Sequence, residues 1–321
     1  MSTVSPPSGE SAPTAAPGRL LSFWAPELPV ARVAWLRRIL YLFVILDVSF
    51  MVTDPIPHGD VPVAIYRPLL VRQLLHLPPP SHLYVRVLFA VIVASALVAA
   101  AGRLPRLAGW VCAFGMLDWL SNAMSYSKID HDHFALVLTL FVLPTVGRAR
   151  VTDTASDRAA GWAVRLVQMG VVASYALSAW AKMRFGGWGW ANGATLIWAL
   201  SRRGHGPGPW LASHPPLTHA MQWVVLVMEF CSPLMLWLRG RALAAYVLFW
   251  ACFHASTWVL LKIHFLPLAV CLLAFAPLER LGAPGSWPGR ARARSLSRVA
   301  RPRPGDDARP PAASAAPWSG R

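Results

Sequence analysis

Eight long apolar runs dominate this sequence of 321 residues and limit what it can fold into. They cover approximately residues 35–54, 83–101, 106–125, 131–147, 162–182, 218–238, 242–260 and 263–280. Most are close to the 20 or so residues that a helix needs to cross a hydrocarbon core about 30 Å thick. The chain is 55% hydrophobic and only 14% charged, whereas a soluble domain carries roughly 25% charged residues. We therefore predict an all-α, polytopic membrane bundle of eight spans, give or take one, because backbone groups in lipid must be satisfied internally.

The two ends of the chain differ in composition from its middle. Residues 1–19 are rich in Ser, Pro, Ala and Gly, and the segment from residue 282 onward is rich in Pro, Ala, Gly and Arg. Such segments bury too little apolar surface to offset the entropy of ordering. We expect a disordered and interfacial N-terminus over 1–31, a transmembrane domain over 32–281, and a disordered basic tail over 282–321.

The basic residues flank the apolar runs. Thirty Lys and Arg against fourteen Asp and Glu give a net charge of +16, and their position in loops and tail favours the lipid bilayer over nucleic acid as the partner. Eight spans would place 21 of the thirty Lys and Arg residues on the side of the membrane that holds both termini, and nine on the other side. The positive-inside rule then predicts a multi-pass protein of the cell membrane with both termini cytoplasmic. Nine of the 21 belong to the tail, so the orientation depends on it.

Several polar side chains fall inside or at the ends of these runs, where lipid penalises charge by about 2.5–3.5 kcal/mol. They are Asp47, Asp118, Asn122, the cluster Asp130, His131, Asp132 and His133, Lys182, Glu229, His254, Lys262 and His264. Alternate threading of the spans places most of them in the half of the bilayer away from the termini, and Glu229 near mid-depth. This arrangement predicts a polar cavity open to the extracytoplasmic side.

Each of these residues also has a purely structural interpretation. His131 and His133 could lie in the headgroup region, Lys182 could extend its ammonium to water, and Asp118 could hold two helices together. Trp188 belongs to a Trp-rich stretch that could form an aromatic belt or a stacking wall for a ring-shaped ligand. No further ligand set accompanies the two histidines, so we predict no metal site.

Four motifs occur in a recognisable order. They are DHDHFALVLTLFVLP (130–144), YALSAWAKMRFGGWGWANGATL (175–196), MEFCSPLMLW (228–237) and FWACFHASTWVLLKIHFLPLAVCLLAFAPL (249–278). Together they resemble the membrane domain of HTTM-domain proteins, the group that includes the vitamin K-dependent gamma-glutamyl carboxylase. The resemblance extends over roughly residues 33 to 280.

The resemblance implies a catalytic set and a cofactor. Lys182 matches the base lysine of the carboxylase, His131 or His133 its early histidine, and His254 its helix histidine. The implied cofactor is a vitamin K or menaquinone-type hydroquinone, and the residues expected to line its site are Glu229, Asp118, Trp188 and Lys262. A lysine that acts as a base near neutral pH needs desolvation or a neighbouring cation, and a neutral histidine can stabilise an oxyanion.

The sequence also departs from the carboxylase. The large lumenal part of that enzyme has no counterpart after residue 280, and Asp130 and Asp132 precede the histidines where the carboxylase has Asn. A protein substrate therefore has little support. The first hypothesis is a carboxylase-like, quinol-dependent lyase or oxidoreductase. The alternatives are a non-enzymatic lipid or small-molecule binder or transporter, and an accessory or immunity-type membrane protein.

Overall fold

A computed structural model describes residues 18–51, 59–126 and 129–282, and this part of the chain is mostly helical. The described residues up to Glu279 belong to one compact unit. The α-helices are α1 (Arg19–Trp24), α2 (Val30–Leu46), α3 (Leu70–Leu74), α4 (His82–Ala100), α5 (Leu107–Met124), α6 (Phe134–Val142), α7 (Arg158–Gly186), α8 (Ala194–Arg203), α9 (Gly208–Ala212), α10 (Pro215–Phe230), α11 (Gly240–Leu261) and α12 (Leu266–Cys271). The predicted basic tail over 282–321 lies outside the described residues except for its first residue, Gly282.

Three of these helices, α4, α7 and α11, are long and apolar enough to cross a membrane. Two shorter apolar helical segments cover His131–Thr145 and Leu266–Phe275. The helical fold class is thus confirmed, while the bundle of eight spans stays a prediction. Helix bounds differ from several predicted runs: α2, α6 and α12 end at Leu46, Val142 and Cys271. In the predicted run 218–238, α10 ends at Phe230 and the chain continues as a 3-10 turn over Ser232–Leu236 that contains a proline. Proline removes a backbone N–H donor and does not continue an α-helix.

Helix α7 is the central element of the unit. Asp157 caps its first turn by accepting a hydrogen bond from the Ala159 N–H at 3.1 Å, as expected of an Asp N-cap. Val164, Val167 and Val171 recur at a spacing of three and four residues and are fully buried, which places them on one face of the helix. This face packs in the main apolar core.

The segment before α2 packs against α7. Strand β1 (Leu28–Pro29) pairs antiparallel with strand β2 (Ser156–Asp157), and this short pairing adds a minimal strand element to the predicted all-α class. A Cβ at Gly161 would lie 1.5 Å from the Pro26 carbonyl oxygen. Only glycine permits this close approach. The sequence of residues 18–31 did not indicate this packing, and residues 1–17 lie outside the described part.

The turn between α11 and α12 positions part of the candidate site. Lys262 ends α11 with a left-handed φ of 54°, and its N–H donates to the Trp258 carbonyl at 2.9 Å. This cap reverses the chain, a role that glycine fills more often. His264 and Phe265 follow the cap and lie beside α11 at the entrance to α12.

Candidate functional site

Lys182 and Glu229 form an ion pair between α7 and α10, in which the carboxylate is buried and the ammonium is partly exposed. The Lys182 ammonium donates to both carboxylate oxygens of Glu229, at 2.5 Å for Oε2, and Ser178 donates to Oε1 at 3.2 Å. The Glu229 side chain is 5% exposed and that of Lys182 is 21% exposed. Trp190 lies 4.8 Å from the ammonium, measured to its ring centroid, a favourable cation–π distance. The carboxylate thus has its counter-charge and an additional donor.

Lys182 borders a cavity of about 350 Å3 between α7, α8, α10 and α11, and Glu229 is not among the wall residues. The walls are mostly apolar and include the aromatic rings of Trp190, Phe253 and Phe265. Gln222 also lines it, donates to the Trp190 carbonyl at 3.1 Å, and has an Oε1 atom without a hydrogen-bond partner among the described residues. An apolar cavity with a few convergent polar groups is typical of a small-molecule site.

A second polar group lies on the facing sides of α7 and α11. The Tyr175 hydroxyl is 2.8 Å from His254 Nε2, and the Tyr175 ring stacks on Trp250 at a centroid distance of 3.7 Å. His254 is 7% exposed, and its Nδ1 has no hydrogen-bond partner within the described ranges. The stack fixes the tyrosine, which in turn orients the histidine ring.

The two early histidines have different environments. His133 is buried between two carboxylates, with Nε2 3.1 Å from Asp47 Oδ2 and Nδ1 3.2 Å from Asp132 Oδ1. His131 is exposed, and its ring lies 6.3 Å from that of Phe265. Both ring nitrogens of His133 are therefore engaged, whereas His131 is the histidine next to the aromatic wall of the cavity.

These groups form one neighbourhood around Phe265. The Phe265 ring lies 5.7 Å from the His254 ring, and it lines the cavity that Lys182 borders. Three of the predicted catalytic residues, Lys182, His131 and His254, thus lie around Phe265, whereas the fourth, His133, is paired with Asp47 and Asp132.

The other predicted cofactor-binding residues lie elsewhere. Trp188 is 72% exposed and stacks on Trp223 at 6.0 Å. Lys262 is exposed, with its ammonium 5.2 Å from the Trp258 ring centroid. Neither residue lines the cavity beside Lys182.

Asp118 belongs to a separate cluster between α3, α4 and α5. Its carboxylate accepts from Arg72 and from the Tyr84 hydroxyl, and Arg72 also donates to the Tyr66 hydroxyl at 2.5 Å. Burial by itself lowers the pKa of Arg72, but the Asp118 carboxylate and the Tyr66 hydroxyl outweigh it and raise that pKa above its ordinary value. Each carboxylate oxygen of Asp118 is thus engaged, one by Arg72 of α3 and the other by Tyr84 of α4, an arrangement that links three helices.

Several site residues were not identified from the sequence. Tyr175 and Ser178 precede Lys182 on α7 at a helical spacing of seven and four residues, so they share its face. This spacing was a usable signal for both. Trp190, two residues after Trp188, is the tryptophan that contacts Lys182, and Gln222 lies seven residues before Glu229 on α10.

Nothing in the described ranges groups three or more His, Cys, Asp or Glu side chains in a way that could hold a metal ion. The chain matches no family model, no curated protein and no solved structure. The interpretation of the site therefore depends on its own geometry and on the motifs in the sequence.

Proposed function

We propose that this protein is a multi-pass, HTTM-type membrane protein that binds a lipid-soluble hydroquinone-type molecule in the cavity beside Lys182. The observation that carries the proposal is the Lys182–Glu229 ion pair at the edge of an otherwise apolar cavity of about 350 Å3. An apolar cavity of this size with aromatic walls fits a ring. Among the described residues that line the cavity, Lys182 is the only one with a formal charge, and its partner Glu229 lies behind it, which suits a ligand with hydroxyl groups.

The residues present suit a hydroxyl-bearing ring in three respects. Trp190, Phe253 and Phe265 offer flat apolar surfaces. The Lys182 ammonium can stabilise negative charge on a bound oxygen. The Glu229 carboxylate can accept a proton. A hydroquinone, when bound, supplies weakly acidic hydroxyl groups and two reducing electrons.

The geometry supports a division of roles between the two charged residues. A lysine paired with a carboxylate is stabilised as the ammonium, so Lys182 cannot accept a proton until it has passed one to Glu229. The pair can do this as a unit: Glu229 takes up the proton at its carboxylate, and Lys182 remains cationic beside the negative charge left on the bound oxygen. The site contains one positive and one negative charge before and after the transfer, so its net charge does not change, which limits the desolvation cost.

His254 and His131 lie in supporting positions. His254 is held by Tyr175 at 2.8 Å, and a neutral imidazole in such a position can orient a polar group. The family resemblance extends the proposal to oxidation of the bound hydroquinone with dioxygen as the oxidant, in a cavity facing the extracytoplasmic side. A protein substrate is not part of the proposal.

The test is quinone retention by purified protein in lipid nanodiscs. We expect wild type to retain menaquinone near one equivalent, and Lys182→Met and Glu229→Gln to retain only the background of an unrelated membrane protein. Arg184→Met is the matched control, because Arg184 lies on the same helix two residues away, is exposed and contacts Phe185 rather than the cavity. Retention should be unchanged in that variant.

Turnover is the second measurement. Oxygen uptake that depends on added menaquinol and is lost in Lys182→Met would support the enzymatic proposal. Retention of quinone without oxygen uptake would limit the proposed function to quinone binding. Only background quinone in wild type would refute both binding and turnover and would favour a structural role for the ion pair.

A further inference from the structure

A smaller cavity lies where α2, the end of α4 and the chain after α6 meet. Its volume is about 190 Å3, below the range typical of drug-sized ligands, so it suits a small chemical group. Three of its wall residues are arginines, namely Arg37, Arg38 and Arg150, and among the described wall residues none is Asp or Glu. Most of the other wall residues are alanines. The cavity therefore combines small side chains with positive charge of one sign only.

The three wall arginines have no carboxylate counter-charge within the described part of the chain. The described arginines that do pair with a carboxylate are Arg32, Arg72 and Arg158. Asp153 is the acidic residue nearest to Arg150 in the sequence, and it accepts from the Arg150 backbone N–H at 2.8 Å. The sequence after residue 282 contains eight Arg and two Asp, so it adds positive charge overall. An anion would supply the charge that this end of the unit lacks.

Arg37 is the buried member of the three, at 3% exposure. Its guanidinium donates to the carbonyls of Leu143 and Gly147 at 2.6 and 2.8 Å, and to that of Val146. These carbonyls end the 3-10 segment that continues α6, so most of the Arg37 donors are used within the chain. Its charge still attracts an anion in the cavity, because Coulomb attraction needs no contact and is strong near buried surface. Arg106 adds to this charge, since its Nη2 would lie 3.6 Å from a Cβ on Gly147.

Arg38 and Arg150 are the arginines that a ligand can contact. Both are exposed wall residues, and they come from different elements, α2 and the loop before α7. The planar donors of a guanidinium match the oxygens of a phosphate group. The carbonyl end of α4, which would repel an anion, is partly capped, because the N–H groups of Ala101 and Gly102 donate to carbonyls of that helix at 3.0 Å. The donors in this cavity therefore favour an anionic oxygen group.

The cavity lies at the ends of predicted membrane runs. Its walls belong to the start of the run 35–54 and the end of the run 83–101, which is the depth of lipid headgroups if both runs are spans. Leu97 and Val98 precede the wall on α4 and are 51% and 37% exposed, so they offer apolar surface beside the cavity. Basic pockets between spanning helices on the cytoplasmic side are suited to anionic headgroups.

We propose that this cavity binds an anionic phosphate group, held by Arg38 and Arg150 with the charge of Arg37 behind them. Its location favours a lipid headgroup as the source of the phosphate, and a soluble phosphate is the other source that the test separates. The choice of a lipid rests on the proposed multi-pass topology and not on the proposed quinone chemistry. The site shares no wall residue with the cavity beside Lys182.

The experiment is a native mass spectrometry titration of the full-length protein in detergent micelles. The probes are dioleoylphosphatidylglycerol, dioleoylphosphatidylcholine and inorganic phosphate, and the two lipids share acyl chains but differ in net charge. We expect saturable binding of phosphatidylglycerol at least tenfold tighter than that of phosphatidylcholine, because each arginine near an anionic headgroup contributes about a fivefold factor. Saturable binding of inorganic phosphate without this lipid preference would assign the site to a soluble anion. Equal binding of the two lipids without binding of phosphate would overturn the proposal.

Arginine variants test whether the affinity comes from this cavity. Arg38→Gln and Arg150→Gln should each weaken binding about fivefold, and the double variant about 25-fold. Arg241→Gln is the matched control, because Arg241 is exposed at the start of α11, lies on the same side in the predicted topology and is not a wall residue. Its affinity should equal that of wild type. An equal loss in Arg241→Gln would show attraction by the general surface charge and would overturn the site.

A pair of variants at Ala101 separates charge from size. Ala101 is an exposed wall residue. Ala101→Glu places a carboxylate beside the arginines and should abolish phosphate binding, whereas Ala101→Gln, of nearly equal size, should retain most of it. Unchanged binding in Ala101→Glu would refute the site. The unfolding transition of the same samples reports on folding, and only background quinone in wild type would leave this inference standing while refuting the proposed quinone function.

Discussion

Replacement of Lys182 by methionine isolates the energy of the buried ion pair. Methionine keeps an unbranched side chain of similar length but removes the ammonium, so Glu229, whose side chain is 5% exposed, loses its counter-charge. Breaking a buried pair by removing one partner costs about 3–5 kcal/mol. The carboxylate can lower this cost by taking up a proton.

The cost of that proton sets the magnitude and its pH dependence. A carboxyl group with an ordinary pKa of about 4.3 requires about 3.7 kcal/mol to be held protonated at pH 7 and about 1.6 kcal/mol at pH 5.5. Folding of the variant takes up this proton, so its stability relative to wild type increases as the pH falls. We therefore expect Lys182→Met to lose about 3.7 kcal/mol at pH 7 and less than half of that at pH 5.5.

The reverse single variant and the double variant complete the cycle. Glu229→Gln keeps an acceptor for Ser178 and leaves Lys182, which is 21% exposed and can extend toward water. Its loss should be smaller than that of Lys182→Met. The double variant Lys182→Met/Glu229→Gln should be more stable at pH 7 than Lys182→Met alone, because it contains no unpaired buried charge.

The assay is unfolding of the purified protein in mixed micelles with increasing denaturing detergent, followed by far-ultraviolet circular dichroism at both pH values. Arg184→Met provides the control for loss of a positive charge at the exposed end of α7. An equal loss for Lys182→Met at pH 5.5 and 7, or a double variant no more stable than Lys182→Met, would refute the argument that the carboxylate is the costly partner.

Two further stability changes follow from the fold, measured in the same assay. Arg72→Met should lower the free energy of unfolding by about 3–5 kcal/mol, because it leaves the Asp118 carboxylate without the buried guanidinium that is its counter-charge. Arg67→Met, at an exposed position, should change stability by less than about 0.5 kcal/mol. Similar losses for the two variants would contradict the importance of the Arg72–Asp118 pair. Gly161→Ala should lower stability by about 1–3 kcal/mol, since its Cβ would lie 1.5 Å from the Pro26 carbonyl oxygen. Gly189→Ala has open space around the new Cβ and should be nearly neutral. A neutral Gly161→Ala would show that the segment before α2 is not held in this contact.

The pairing of Lys182 also changes how its chemistry is understood. The family resemblance implied a base role for Lys182, and its position at the end of an apolar run suggested that desolvation would activate it. In the structure its ammonium is bound by a carboxylate, so the proposed proton acceptor is the pair, with Glu229 as the terminal acceptor. This is a proposal about chemistry, and the retention and turnover measurements on Lys182→Met and Glu229→Gln test it.

The sequence by itself determined the helical class and the set of residues worth considering. Apolar runs of sufficient length predict helices because period and composition are local properties, and α4, α7 and α11 follow their predicted runs closely. Lys182, Glu229 and His254 could be selected because ionisable groups within apolar runs need partners. Number of spans and orientation were predicted from the same information.

Only the tertiary structure decided which of these residues meet. Lys182 pairs with a carboxylate 47 positions away, and His133 with Asp47 86 positions away, and such pairings depend on how the helices pack rather than on any local pattern. Helix packing likewise separated Asp118 from the cavity and engaged it with Arg72. It also selected Trp190 rather than Trp188 as the neighbour of Lys182, because the rotation of a short turn determines which side chain faces inward.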